Sequence, residues 1–189
     1  MKQILYSNII LKINSLILSL FYDKKYLSGK YFYKKRMGWI WAWKGLVNRI
    51  IGVNKNIPWP TSCKCNIANS KNIIFHPDSI NIFQSYGCYF QNHKGIISIG
   101  KNVHIAPNVG IITTNHDIYN LDNHIDGKDI IIKDNCWIGM NSVILPGVIL
   151  GSNTIVGAGS IVTHSFPDGF VVIGGNPAKV LYYLDKNEL

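Results

Sequence analysis

The chain has 189 residues, 47% hydrophobic and 15% charged, with a formal net charge of +9, so it holds one core-rich domain, with or without an appendage. The charge is uneven: residues 1–60 carry +10 and residues 61–189 carry −1. That excludes a nucleic-acid groove in the main body and confines any attraction for an anionic partner to the N-terminal segment.

Residues 1–22 are apolar but broken by Lys2, Asn8, Lys12, Asn14 and several serines. A membrane span wants about 20 largely apolar residues, and no small-residue cleavage site follows, so neither a span nor a signal peptide is expected. Leu5, Ile9, Leu16 and Leu20 share one helical face, as do Ile13 and Ile17, which predicts an amphipathic helix. Residues 23–36 are basic and aromatic, and residues 37–51 carry Trp39, Trp41 and Trp43. Two readings of this segment stay open. Its helices cap the first coil of the downstream domain, or its basic and aromatic side chains meet a membrane interface. Pro58 and Pro60 punctuate the chain, so residues 1–57 are expected as a helical segment and 58–189 as the main domain.

The main domain carries a repeat. Ile132, Ile138, Ile144, Leu150, Val156 and Val162 recur every six residues, and Cys136, Ser142, Val148, Thr154 and Ser160 form a second register of small or β-branched side chains. Six is neither the 3.6 of a helix nor the 2 of a long strand. It fits a solenoid with flat faces of six residues, one aliphatic side chain pointing inward per face, whose coils bury a core by stacking. Upstream the signs are weaker, at Ile67, Ile73, Ile80 and Ile82. The strict period resumes at Ile99, Ile105 and Ile111. Residues 113–129, rich in His, Asp and Asn, then interrupt it as an inserted loop. After Val162, Phe170 to Ile173 reads as a further strand, and Ala178 to Leu184 as a strand or helix closing the open end.

A loop that interrupts a regular solenoid is where chemistry tends to sit. His116 is the best base in it, since histidine accepts a proton near neutral pH. Its second ring nitrogen needs an acceptor, either a carboxylate or a backbone carbonyl. Asp117 is adjacent, but neighbours in an extended chain point apart. Asp117 and Asn115 are therefore candidates for binding a substrate hydroxyl, with His124 in the same loop. No histidine pair has zinc spacing, so no metal is expected. Cysteines 63, 65, 88 and 136 lack a Cys-x-x-Cys pair and read as reduced thiols of a cytoplasmic protein.

The segment Ile132–Thr163 with Gly174–Val180 (GGNPAKV) resembles the hexapeptide-repeat acyltransferases. Within them it is similar to the polysaccharide O-acetyltransferases and the maltose and galactoside acetyltransferases. PWP at 58–60, SYGCYFQN at 85–92 and IAPNVGIITTNHD at 105–117 resemble the polysaccharide-modifying branch. The resemblance implies an all-β fold, a left-handed parallel β-helix, here behind an N-terminal helical segment. It also implies a homotrimer with sites at the seams between subunits, and acetyl-CoA as co-substrate. The implied reaction moves an acetyl group to a sugar hydroxyl of a glycan or a lipid-linked precursor, which would place the enzyme at the inner membrane face. His116 in Asn-His-Asp would be the catalytic base. Gly139 and Met140, Ala158, and Thr163 would hold the CoA arm, with Trp137 lining the groove and Lys179 meeting a phosphate. Where the family often reads Val-Thr-Lys this chain has His164, which replaces that lysine only partly at neutral pH. Competing readings are a serine or amino-sugar acetyltransferase, and a non-catalytic repeat scaffold.

Overall fold

The computed structural model describes residues 8–188; Leu5 and Lys2 of the expected N-terminal helix lie outside them. The chain divides into two compact units, Met1–Cys63 and Lys64–Leu189. The division falls after Cys63 rather than after residue 57, because the proline-punctuated stretch packs with the helices. The Asp23 amide donates to the Pro58 carbonyl at 2.9 Å, and the Trp59 ring meets Tyr26 edge-on at 5.2 Å.

Among its described residues the first unit has three α-helices, α1 (Asn8–Leu18), α2 (Lys30–Tyr33) and α3 (Met37–Ile50). Its interior is aromatic. Phe32 and Trp39 pack edge-to-face at 5.0 Å, and the Trp39 indole donates to the Phe32 carbonyl at 3.1 Å, which satisfies the polar end of a buried ring. Trp39 is buried and Trp43 is exposed, so the tryptophans of this segment do not act as one set. No helix among the described residues is long and apolar enough to cross a membrane.

The second unit is a three-sided coil of short, mostly parallel strands. One sheet stacks Asn66–Ile67, Tyr89–Gln91, Gly110–Ile112, Val143–Ile144 and Ile161–Val162. The next stacks Ile73–Phe75, Ile97–Ile99, Ile130–Ile132 and Ile149–Leu150. The third stacks His104–Ile105, Trp137–Ile138, Thr154–Val156, Val171–Gly175 and, antiparallel at its end, Ala178–Tyr183. The six-residue period explains this. Each face takes one strand, and each strand sends at least one apolar residue inward, two where it is longer, as at Ile97 and Ile99 or Ile130 and Ile132. The register stacks these into internal columns: Phe90, Ile111, Ile144 and Val162 in the first sheet, and Ile105, Ile138, Val156 and Ile173 in the third. All are buried. The first coil departs from the pattern, since its third side is a 3-10 helix, Pro77–Gln84, where hexads at Ile80 and Ile82 suggested a regular face. Pro77 starts it, and Ile80 and Ile82 still reach the core.

The small-residue register serves the corners. The Ser142 hydroxyl donates to the Gly157 carbonyl at 3.0 Å, Thr154 to Gly151 at 2.7 Å, and the Cys136 thiol to Gly151 at 3.1 Å. These side chains satisfy carbonyls that turn away from the ladders. A further register, not anticipated from the sequence, makes the turns. Asn135, Asn141, Gly147, Asn153 and Gly159 all have positive φ. Asparagine and glycine tolerate that left-handed conformation best.

Candidate active site

The inserted loop leaves the coil after Gly110–Ile112 and rejoins it at Ile130. Its base is pinned. The Lys128 amide donates to the Thr113 carbonyl at 2.8 Å, and the Gln91 side-chain oxygen accepts from the amides of Thr113 and Thr114 at 3.2 and 3.3 Å. The loop's two legs then pair as a short antiparallel hairpin. His116 and His124 form a bridge, with the Asp117 amide donating to the Asn123 carbonyl at 2.9 Å and Ile125 to Asn115 at 3.1 Å.

That hairpin fixes His116. Its Nδ1 lies 2.6 Å from the Leu121 carbonyl oxygen. A carbonyl only accepts, so Nδ1 is the donor in this bond, and in the neutral tautomer the lone pair is then on Nε2. The acceptor anticipated from the sequence is therefore the backbone of Leu121. Asp117 turns elsewhere and accepts from the Tyr119 amide at 2.8 Å. The His124 ring lies 4.1 Å from the His116 ring, tilted by 37°, which blocks rotation of the imidazole on that side. Asn115, His116 and His124 are exposed and Asp117 is half-buried.

Lys94 was not anticipated. Its ammonium donates to the His124 carbonyl at 3.3 Å, and with His93, Thr114 and His124 it lines a cleft of about 290 Å³ beside the loop. Lys94 stands 30 positions from His124, and only the coil brings them together, so no local signal marks it.

The residues expected to hold a nucleotide arm fall into separate groups. Gly139, Met140 and Ala158 meet at the edge between the third and first sheets. There the Gly139 amide donates to the Val156 carbonyl and Gly159 to Met140, each at 2.8 Å. Trp137 projects from the third sheet, in the outward column of His104, Ile155, Val172 and Tyr182. Trp137 and Met140 are 54% and 44% exposed. Lys179, also exposed, lies on the terminal strand of that sheet. Thr163 and His164 follow the last strand of the first sheet, at its opposite edge, the edge from which the His116 loop also emerges. The Thr163 hydroxyl and His164 Nδ1 are 3.2 Å apart, and the His164 ring packs 4.7 Å from Phe166.

Three of the four cysteines are shielded thiols. Cys65, Cys88 and Cys136 are buried and only Cys63 is exposed. Burial pushes the Cys136 thiol up to about 11 and raises Cys65 and Cys88 as well.

Residues 129–164 match the family model for bacterial transferase hexapeptide (six repeats). The chain is 42% identical over 95 residues to galactoside O-acetyltransferase of Escherichia coli K12, covering 49% of this chain and 46% of that protein. Among solved structures it resembles a maltose O-acetyltransferase from Clostridium difficile 630, with 35% identity, a TM-score of 0.50, and coverage of 61% and 57% of the two chains. A galactoside acetyltransferase in complex with coenzyme A shares the fold, with a TM-score of 0.60 at 24% identity, over 94% of this chain and 84% of that one. The chain spans about half the length of the curated relatives it matches. By its repeat, its fold and its relatives, the coil of this protein is a hexapeptide-repeat left-handed β-helix, the solenoid of the galactoside and maltose O-acetyltransferases.

Proposed function

We propose that this protein is an acetyl-CoA-dependent O-acetyltransferase acting on a sugar hydroxyl of a surface polysaccharide or its precursor. The observation that carries the reading is the Nδ1 to Leu121 carbonyl bond, which in the neutral ring turns the lone pair of Nε2 outward on an exposed loop. Acetyl-CoA supplies the acetyl group as a thioester. His116 Nε2 takes the proton from the acceptor hydroxyl and then yields it to the departing sulfur. Asn115 and Asp117 flank the base and bind the acceptor, while His124 holds the imidazole plane. Gly139, Met140 and Ala158 bear on the pantetheine arm, Trp137 lines its groove, and Lys179, Thr163 and His164 lie toward the phosphates.

The site works between copies of a homotrimer. What supports this is the separation within one chain: the His116 loop and the Gly139–Ala158 corner lie at opposite edges of the first sheet, so one copy's loop must meet its neighbour's corner. The galactoside and maltose acetyltransferases support a sugar acceptor. In this reading the enzyme is cytoplasmic and works at the inner membrane face, where lipid-linked glycans are built.

The test is thiol release from acetyl-CoA in the presence of galactosides, maltose and polysaccharide acceptors. His116→Ala lowers kcat by about 10²–10⁴-fold and leaves CoA affinity unchanged. Near-normal turnover by that variant rejects the assignment, and absence of release with every acceptor rejects the activity.

A further inference from the structure

Helix α1 is oriented against the usual rule for a globular protein. Its polar Asn14 and Ser15 lie on the half-buried side with Leu11 and the buried Leu18, while Ile9, Ile13 and Leu16 face outward, Ile9 and Leu16 at 72% and 70% exposure. Leu20, just past the helix, is 79% exposed. Helix α3 does the same on its outer side. Gly38, Trp39, Ala42 and Leu46 are buried, whereas Ile40, Trp43, Val47 and Ile50 are exposed.

The two stripes are joined. The Trp43 indole of α3 donates to the Asn14 side chain of α1 at 3.1 Å. Ile13 and Ile17 lie beside Asn14 on one helix, and Ile40 and Val47 lie one turn either side of Trp43 on the other. Exposed apolar residues of both helices thus flank this one contact, a concentration that monomeric soluble proteins seldom leave open. The segment that carries these helices is cationic. Residues 1–60 hold 11 Lys/Arg against a single acidic residue, Asp23, and Lys12, Lys24, Lys25, Lys34, Lys35 and Lys44 are exposed.

We propose that this face seats the protein on the surface of an anionic lipid bilayer, with α1 and α3 lying in the interfacial plane. The charge selects the occupant. A second copy would set two surfaces of like sign against each other, whereas acidic headgroups complement the lysines and acyl chains receive Ile13, Leu16, Val47 and Ile50. Among the described residues no helix is long and apolar enough to span, and helices of this kind lie flat in the interface. Trp43, apolar in its ring and polar at its nitrogen, suits the headgroup level. This docking is independent of the transferase reading.

The test is co-sedimentation of the full chain with vesicles of phosphatidylcholine alone or with phosphatidylglycerol added. The protein binds the anionic vesicles, and binding falls with salt. The double variant L16E/V47E loses about tenfold or more of it, as expected for two apolar anchors. The charge-reversal variant K24E/K34E, which leaves the apolar face intact, also weakens it. Thiol release with a soluble acceptor is unchanged in both variants, which separates failure of docking from failure of the transferase reading. Absence of wild-type binding, equal binding to neutral vesicles, or wild-type binding by both variants overturns the proposal. So does light scattering in which L16E/V47E lowers the subunit number of a protein that ignores vesicles, since the face then belongs to a second copy.

Discussion

Gly139 and Gly159 lie at one corner in neighbouring coils, and alanine at each asks a different question. A Cβ on Gly139 would stand 2.6 Å from the Ala158 nitrogen, 2.7 Å from the Val156 oxygen and 2.9 Å from the Ala158 Cα. Each of these is backbone, so no side chain can swing away. The coils must separate, which strains the Gly139–Val156 and Gly159–Met140 hydrogen bonds. Overpacking costs about 1–3 kcal/mol, and two weakened ladder bonds add about 1 kcal/mol each, for about 3–5 kcal/mol in all. Gly159 has open space around its missing Cβ but a φ of +70°, so Gly159→Ala bears only the left-handed penalty of about 1–2 kcal/mol. For a chain of this size each kcal/mol moves the melting temperature by about 2–4 °C. Gly139→Ala should therefore melt about 10 °C below wild type and Gly159→Ala about 3 °C below. Thermal melts followed by circular dichroism at one fixed protein concentration make the comparison. If Gly139→Ala melts no lower than Gly159→Ala, the close stacking of the coils at this corner is wrong.

His124→Ala should lower kcat about tenfold by freeing the His116 ring, and His124→Phe, which keeps a flat ring at 4.1 Å, should recover most of it; steady-state kinetics on both variants decide the point. Of the four cysteines only Cys63 should react with a thiol reagent in the native protein near pH 8, and all four after unfolding, by absorbance titration; rapid native labelling of a second thiol would contradict the burial of Cys65, Cys88 and Cys136. Stability should fall in alkali. An unfolded Cys136 ionises near 9, whereas the folded thiol holds its proton to about 11, so the unfolded state loses its proton first and gains in relative stability between those values. The loss reaches about 2 kcal/mol by pH 11, and urea midpoints at about pH 8 and about pH 10.5 should show it, with a shallower slope in Cys136→Ala. Tyr22, pushed up to about 12 by burial against the opposing influence of Arg49, acts in the same direction at higher pH.

The coil was legible because its constraint is periodic. An apolar residue must point inward on each face, so Ile132 to Val162 announce a flat-faced solenoid by their spacing, while the β-helix itself came from the family resemblance. The first coil was less legible, because Pro77 forbids a ladder bond there and a 3-10 helix carries Ile80 and Ile82 inward at a spacing that imitates a weak hexad. The left-handed corners at Asn135, Asn141 and Asn153 were written in the same period but hidden by the commonness of asparagine in any loop. The loop's chemistry was half visible. A histidine between Asn115 and Asp117 invites a carboxylate partner, yet the Leu121 carbonyl takes that place. A main-chain acceptor belongs to a conformation, and no residue letter encodes it. The outward face of α1 was also half visible. Periodicity groups Ile9, Leu16 and Leu20 on one side but does not say whether that side meets protein or solvent.

The inserted loop begins and ends on two points held together by the Lys128–Thr113 bond and by Gln91. Because its feet are clamped, its span can lengthen, shorten or change wholesale at small entropic cost, while the strands above and below keep their alignment. Such a mount behaves like a tool holder. The shank stays constant, and a different bit between Asn115 and Gly127 would be expected to rework what the site recognises without rebuilding the machine.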